Sequence, residues 1–387
     1  VASFVDGIDR LAAREPGARV LVGMSGGVDS SVAAMLLRDA GFEVVGVSLH
    51  LWDHAEGQAG SRCCAPEDLE DARRTADALG IAYFTFDERK AFARTVVAPF
   101  VDDYLDGRTP SPCVACNREV KIAAFIELCA RLGAAAFATG HYARTGFWVD
   151  DDGGALRPAL MRGDDAQKDQ SYFLHGVGPR ALSLLVTPLG RMRKPEVRAL
   201  AERAALPNAG KPDSEDLCFV AGDHARFVEA RAAGRVRPGP IVDGDGRVVG
   251  RHEGIHRFTI GQRKGLGVAI GKPAYVASID ADAGVVRLGD DADLAAVGAL
   301  VKSPSLLDPD LVGARGRRLT ARVRYRHDGA PAEVEVDPRG DELRVRFLEP
   351  ARAVTPGQTC VLYDGAEVLG GGTIERALGA EAFVARS

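Results

Sequence analysis

Apolar residues follow two different rhythms along this chain. Between Val20 and about Thr139, short apolar runs alternate with stretches of helical spacing. Val20-Leu21-Val22 reads as a buried strand, and Val32 to Leu37 as a helix that stops at Gly41. A strand is expected from Glu43 to Leu51. A helix opening at Pro66 puts Leu69, Ala72, Ala76 and Leu79 on one face and ends at Gly80, before a strand from Ile81 to Phe86. Ile122, Phe125, Ile126 and Cys129 repeat at helical spacing, which makes Cys129 a core residue, and Ala134 to Thr139 forms another strand. Such alternation marks a parallel sheet covered by helices, an α/β fold.

The rhythm changes near Ala209. Lys194 to Leu206 is the last clear helical pattern of the first part, and Phe227 to Ala233 reads as a connecting helix. Beyond Arg237-Pro238-Gly239-Pro240 come short strands separated by Gly/Asp turns such as Asp243-Gly244-Asp245-Gly246. Alternating runs at Leu319 to Tyr325, Glu333 to Val336, Leu343 to Phe347 and Thr359 to Tyr363 predict a small C-terminal β-barrel. Three regions follow: an N-terminal parallel-sheet domain over 1–215, a small β-rich central domain over 216–297, and the barrel over 298–387.

Composition changes this picture little. The 387 residues are 46% hydrophobic and 27% charged, an ordinary globular balance. No apolar run reaches the length of a membrane span, and Val-Ala-Ser-Phe-Val-Asp at the start lacks the basic start and apolar core of a signal peptide, so a cytoplasmic location is expected. Seven cysteines, an odd number, argue against a disulfide scaffold and for metal or redox chemistry. A net charge of −5 does not advertise nucleic-acid binding, yet basic patches stand at Arg191 to Lys194, at Arg257 with Arg263-Lys264, and at Arg322 to Arg326.

The chemistry begins between the first strand and the first helix, at Val22-Gly23-Met24-Ser25-Gly26-Gly27-Val28-Asp29-Ser30-Ser31. A helix N-terminus offers unpaired N–H groups and the positive end of a dipole, which suits a phosphate. Gly26 and Gly27 would let the backbone approach an anion. The loop has neither a Gly-Lys-Ser/Thr ending nor Gly-x-Gly-x-x-Gly. Its missing lysine and its Asp29 fit a site that holds pyrophosphate as a leaving group and leaves the α-phosphorus open to attack. Further along, Cys113-Val114-Ala115-Cys116 is a Cys-x-x-Cys pair, readable as redox, half a zinc site or part of an iron–sulfur site. Cys218 lies in Lys211-Pro212-Asp213-Ser214-Glu215-Asp216-Leu217-Cys218-Phe219, at the junction of the first two domains. Cys63-Cys64 is read as a pair of structural or surface thiols, and Cys360 as a buried barrel residue.

Ser25-Gly26-Gly27-Val28-Asp29-Ser30 resembles the PP-loop of the ATP pyrophosphatases, which activate a carbonyl by adenylation. Ser111-Pro112-Cys113-Val114-Ala115-Cys116-Asn117 and the Asp213 to Phe219 segment resemble the two cysteine segments of the tRNA-specific 2-thiouridylases. Ala138-Thr139-Gly140-His141-Tyr142, Lys168 to Leu174, Thr259 to Gly267, Arg324-Tyr325-Arg326 and Thr355-Pro356-Gly357-Gln358 also look like blocks of that family. The resemblance implies an adenine-nucleotide α-hydrolase-like first domain and ATP-dependent 2-thiolation of the wobble uridine of tRNAs for lysine, glutamate and glutamine. It implies that Gly23, Met24, Ser25, Gly26, Gly27, Val28, Asp29 and Ser30 hold the phosphates of ATP with Mg2+, and that Leu49 and Gly140 lie near the adenosine. Ser111, Pro112 and Cys113 would lie against the target uracil, and His141, Lys168, Asp169, Gln170, Arg324, Tyr325 and Gln358 would touch tRNA. Cys116 would be the nucleophile and Cys218 the persulfide carrier, supplied by a sulfur relay or a cysteine desulfurase.

Two positions depart from the family pattern. Leu49 replaces a common methionine, a volume-conserving change. Cys113 replaces a frequent aspartate, the expected general acid/base, so Cys113, Cys116 and Cys218 could instead ligate a [4Fe–4S] cluster; a tolerated substitution is the other reading. Two rival functions fit these residues less well. An adenylating amidotransferase would need no cysteine dyad, and a non-catalytic RNA-binding protein would need no intact Ser25 to Ser31 loop.

Overall fold

Five apolar runs build the sheet at the centre of the first of two structural units. The computed structural model describes residues 3–53, 66–152, 154–213, 217–220, 222–268, 271 and 273–383. The first unit comprises Val1–Val96, Cys113–Gly222 and Ala366–Val368. Its strands are β1 (Ser3–Asp6), β2 (Arg19–Gly23), β3 (Glu43–His50), β4 (Ala82–Asp87), β5 (Ala136–Ala138), β6 (Ala143–Val149), β7 (Ala155–Arg162) and β8 (Leu185–Val186). The order β4-β3-β2-β5-β8 is parallel at every pairing. Val20, Leu21 and Val22 are wholly buried, as a strand covered on both faces must be, each worth about 1.5–3 kcal/mol.

The helix Val28–Asp39 packs Val32, Ala33, Ala34 and Leu37 into this core. Pro66–Leu79 buries the expected Ala72, Ala76 and Leu79, and also Asp68. That buried carboxylate is explained by Lys211, whose Nζ lies 2.5 Å from Asp68 and 2.6 Å from Asp71. At the carboxyl edge the chain leaves β2 with β3 on one side and β5 on the other, the reversal of strand order where ligands of open α/β sheets bind. A second sheet portion, not anticipated from the sequence, is antiparallel: β1 pairs with β6, β6 with β7, and β7 with Glu367 and Val368.

The second unit comprises Val97–Pro112, Asp223–Gly365 and Leu369–Ser387. A four-stranded sheet from Gly239–Val242, Val248–His252, Tyr275–Asp280 and Val285–Gly289 closes over Ile241, Val276, Val286 and Leu288. Six strands then form the barrel: Ala295–Leu306, Arg315–Arg322, Ala330–Val336, Glu342–Arg352, Thr359–Asp364 and Glu367–Leu378. The last of these pairs with both Ala295–Leu306 and Thr359–Asp364, which closes the ring and removes the edges. Leu343, Val345 and Phe347 point inward between outward Arg344 and Arg346, the alternation read from the sequence. Cys360 is wholly buried there, which pushes its thiol up to about 12.

One expectation changes. The strand expected to run from Leu319 to Tyr325 stops at Arg322. Arg322 Nε donates to His327 O at 2.8 Å and its Nη2 donates to Tyr325 O, so one guanidinium folds the next five residues into a turn. Val97–Pro112 groups with the second unit. In its helix, Ala98–Leu105, Phe100 packs 6.0 Å from the ring of Phe227, and Tyr104 stacks 4.9 Å from His224. Burial lifts the Tyr104 phenol to about 12. No helix among the described residues is long and apolar enough to cross a membrane.

Candidate functional site

The phosphate loop sits where the sequence places it, at the mouth of β2 and the N-terminus of Val28–Asp39. Ser30 Oγ donates to Gly27 O at 3.0 Å and accepts the Ser25 N–H at 3.1 Å, and Ser31 Oγ donates to Gly27 O at 3.0 Å. The serine hydroxyls therefore brace the loop from inside. The two glycines have different surroundings. Gly26 has φ +73°, and a Cβ there would stand 2.3 Å from Asp68 O, so its small size serves packing against the Pro66 helix. Gly27 has more room, a Cβ there meeting only Ser25 Oγ at 3.5 Å. Met24 and Val28 are buried, which leaves their backbones as the parts that could face a phosphate. Leu49 lies near the end of β3 and Gly140 just beyond β5, where a Cβ would stand 2.7 Å from Ser30 N. Of the two, Gly140 is the one seen against the loop.

Asp29 is not left facing the loop alone. Lys194 Nζ lies 2.7 and 2.8 Å from its two oxygens, and Tyr142 OH donates to Oδ1 at 2.7 Å. The same ammonium lies 2.8 Å from Asp213 Oδ1, and Asp213 also takes Lys168 at 2.8 Å and Arg198 at 2.5 Å. Burial alone would raise the Asp213 pKa, but the bonds from Lys168 and Lys194 outweigh it and hold the carboxyl at about 2. Burial and the Asp29 charge push the Tyr142 phenol up. A lysine absent from the loop is thus supplied by the start of the helix Lys194–Arg203. Asn208, itself buried, donates through Nδ2 to Gly26 O and Ser31 Oγ, both at 2.9 Å. Lys194, Tyr142, Asn208, Arg198 and Lys211 were not singled out by sequence as site residues. Their sole prior signal was the basic run at Arg191 and the Lys211 and Tyr142 positions within quoted blocks.

The cysteines separate by environment. Pro112–Ala115, the wide π-turn Cys116–Lys121 and the helix Ile122–Leu132 run on from one another. Cys113 is exposed in the first turn and Cys116 is buried. Asn117 Nδ2 donates to Phe173 O at 3.2 Å and ties this stretch to the Lys168–Leu174 block. Cys218 is half-buried, and the adjoining Phe219 packs against Phe92 at 5.5 Å and Trp52 at 6.4 Å. With Asp213 gripped by three cations, both flanks of the Cys218 segment are anchored. The three-thiolate set expected at Cys113, Cys116 and Cys218 is not assembled: among the described residues no three Cys, His, Asp or Glu side chains come together to hold a metal ion. Cys129 is a core residue as read, its thiol pushed up to about 11 by burial. Cys63 and Cys64 lie outside the described residues.

The residues expected to touch tRNA fall into two sets. Arg324 and Tyr325 stand on the turn braced by Arg322, with Arg324 Nη1 donating to Arg352 O at 2.9 Å. In the Lys168 block, Lys168 and Gln170 are half-buried and Asp169 is buried. Asp169 is 5% exposed and its Oδ1 accepts the N–H groups of Gly163 and Ser171, while Gln170 Oε1 accepts that of Tyr142. Lys168 is committed to Asp213, His141 Nδ1 lies 2.8 Å from Thr139 Oγ1, and Gln358 donates to Thr109 O. Ser111 is half-buried and Pro112 buried.

A buried imidazole beside this block gives a pH prediction. His175 is 2% exposed, its Nδ1 lies 2.8 Å from Tyr172 O, and burial lowers its pKa from 6.5 to about 4. Between those values the unfolded chain takes up a proton that the folded chain refuses. Stability present above pH 6.5 is therefore lost as pH falls towards 4, by on the order of 3 kcal/mol. His141, lowered to about 3 by burial and by the Lys121 charge, has the same sign. His175→Gln should flatten the urea stability between pH 6.5 and 4, and a slope equal to that of the parent protein would count against this origin.

Residues 18–222 match the tRNA methyl transferase HUP domain, 226–290 the tRNA methyl transferase PRC-barrel domain, and 300–374 the aminomethyltransferase beta-barrel domain. The tRNA-specific 2-thiouridylase MnmA of Sorangium cellulosum is 54% identical over 372 residues, 95% of this chain and 94% of that protein. Those of Geobacter metallireducens and Thermus thermophilus are each 44% identical and cover 93% of this chain, with 97% and 95% of their own lengths. A solved 4-thiouridine synthetase–RNA complex with bound ATP shares 15% identity, with a TM-score of 0.34 over 57% of this chain and 51% of that one. Near full-length identity to these relatives places the chain in the tRNA-specific 2-thiouridylase family.

Proposed function

We propose that this protein thiolates C2 of the wobble uridine of tRNA by adenylating the base and then transferring sulfur from a cysteine persulfide. One observation carries the reading. The braced Ser25–Ser31 loop at the reversal of strand order is completed by a lysine from a different helix, so phosphate binding and the Asp213 end of the Cys218 segment share one cation.

Uracil O2 is a poor leaving group until it carries AMP. O2 attacks the α-phosphorus of MgATP as the N3 proton leaves, and pyrophosphate departs into the amides at the start of Val28–Asp39. The terminal sulfur of a Cys218 persulfide then attacks C2, and AMP departs. The Cys116 thiolate attacks Cys218 Sγ, breaking the S–S bond to the base; the 2-thiouracil leaves with its N3 proton restored. A Cys116–Cys218 disulfide remains and needs a thiol reductant before the next turnover. The persulfide sulfur comes from a sulfur relay or a cysteine desulfurase, and lysine, glutamate and glutamine tRNAs are the acceptors. Exposed bases of the anticodon loop are reached by unstacking, with Arg324 and Tyr325 meeting the RNA backbone. A persulfide route is favoured over a cluster by the burial of Cys116 against the exposure of Cys113 and by the absence of a three-ligand group among the described residues.

Nucleotide products test the first step. Thiolation with labelled ATP should release AMP and pyrophosphate in equal amounts, one of each per 2-thiouridine. ADP with inorganic phosphate would sink the adenylation route.

A further inference from the structure

Two sequence blocks with no part in the chemistry above meet at one point of the second unit. Thr355-Pro356-Gly357-Gln358 forms the turn entering the strand Thr359–Asp364, and Thr259 opens the Thr259 to Gly267 block. Both close on Thr109 and Pro110. The Thr109 N–H donates to Pro356 O at 2.8 Å, and Gln358 Nε2 donates to Thr109 O at 2.9 Å and to Pro110 O at 3.3 Å. Thr109 Oγ1 donates to Thr259 Oγ1 at 3.3 Å, and the preceding Arg108 reaches Glu375 at 3.2 Å. Gly357 has φ +87°, and a Cβ on it would stand 2.9 to 3.0 Å from the Thr109 backbone, so the approach requires glycine. The turn itself is part of the barrel wall, since the Gly357 N–H donates to Ile374 O at 2.9 Å and the Ile374 N–H to Gln358 O at 2.8 Å.

Ser111 follows Pro110 directly, and the helical stretch carrying Cys116 begins at Pro112. We infer that the Thr355–Gln358 turn is a clasp that fixes the Thr109–Pro112 backbone, the stretch from which the chain runs on into Cys113 and Cys116, and that Gln358 serves the reaction as a positioning residue through the Thr109 and Pro110 carbonyls. Its carboxamide suits this work because both neighbours of Nε2 are acceptors and the amide offers two N–H donors. The clasp matters for rate because about 1 Å of misplacement at a reacting centre costs on the order of a hundredfold. That role rests on the reading of Ser111 to Cys116 as the base-binding and nucleophilic segment.

Three variants of the full-length protein test it: Gln358→Ala, which removes both bonds, Gln358→Glu, which sets an acceptor against two carbonyls, and Gly357→Ala. Single-turnover thiolation at saturating tRNA should fall at least about tenfold, most in Gln358→Glu, while the tRNA Kd changes less than about twofold. Amide hydrogen exchange of residues 109–116 should quicken in all three, with the rest of the barrel protected as in the parent. A raised Kd with an unchanged single-turnover rate would make Gln358 a tRNA contact and overturn the clasp. Unchanged exchange at 109–116 would overturn it too, and that readout does not depend on activity. If the parent protein thiolated no tRNA, the functional reading would fail while exchange still decided the clasp. Should Gly357→Ala unfold, the two Gln358 variants carry the test.

Discussion

Lys194→Met is expected to abolish thiolation and to destabilise the first unit by about 3 kcal/mol, the lower end of the range for breaking a buried ion pair. Its side chain is only 10% exposed and its ammonium touches two carboxylates, Asp29 and Asp213. Deleting that charge leaves both carboxylates, and Tyr142, around an apolar thioether. Asp29→Ala should be milder on stability, because Lys194 keeps Asp213. It should still abolish activity, since the lysine loses the partner that holds it beside the loop, and tRNA binding should be nearly unchanged. Urea melts and thiolation assays on the two variants check the ordering. A Lys194→Met protein with parental stability and rate would show the bridge to be incidental.

Cys218→Ser and Cys116→Ser should each lower thiolation by at least about three orders of magnitude, the scale of losing a nucleophile. They should fail differently. Without Cys218 no sulfur arrives, yet tRNA-dependent release of pyrophosphate continues. Without Cys116 the Cys218–S–S–C2 link has no resolving thiol, so a protein–RNA adduct that thiol reductants dissolve should accumulate on denaturing gels. Cys113→Asp should stay active in iron-free protein, because the persulfide route makes no use of a third thiolate. If all three cysteine variants lost iron and activity together, the cluster route would replace the persulfide route.

Legibility followed sequence distance. The Ser25–Ser31 loop was readable because strand, turn and helix are adjacent in the chain, and its hydroxyl bonds span no more than five residues. Lys194 and Asn208 were not, because a lysine or asparagine gains meaning there only when distant helices bring it to the loop. The block at Lys168 and Gln170 was legible as a motif, but its bonds to Asp213 and to the Tyr142 amide were not, because those partners are distant in sequence. The different surroundings of Gly26 and Gly27 could not be told from composition, since the placement of Asp68 separates them. The barrel's alternation was legible and its strand end at Arg322 was not, because a side chain bonding forward to carbonyls ended it.

The interleaving of the two units bears on how the chain matures during synthesis. Phe100 and Tyr104 emerge well before Phe227 and His224, the rings they pack against, so the Ala98–Leu105 helix waits with its apolar face uncovered while the ribosome continues. β7 can pair with β6 at once, but its other edge waits longer still, for Glu367 and Val368. Neither unit can therefore be completed cotranslationally in isolation, and a fragment ending at Gly222 would carry both an unfilled strand edge and a helix without its partner rings. An arrangement in which each unit draws on stretches far apart in sequence makes the nascent polypeptide dependent on holding its early half in reserve until the later stretches have been made.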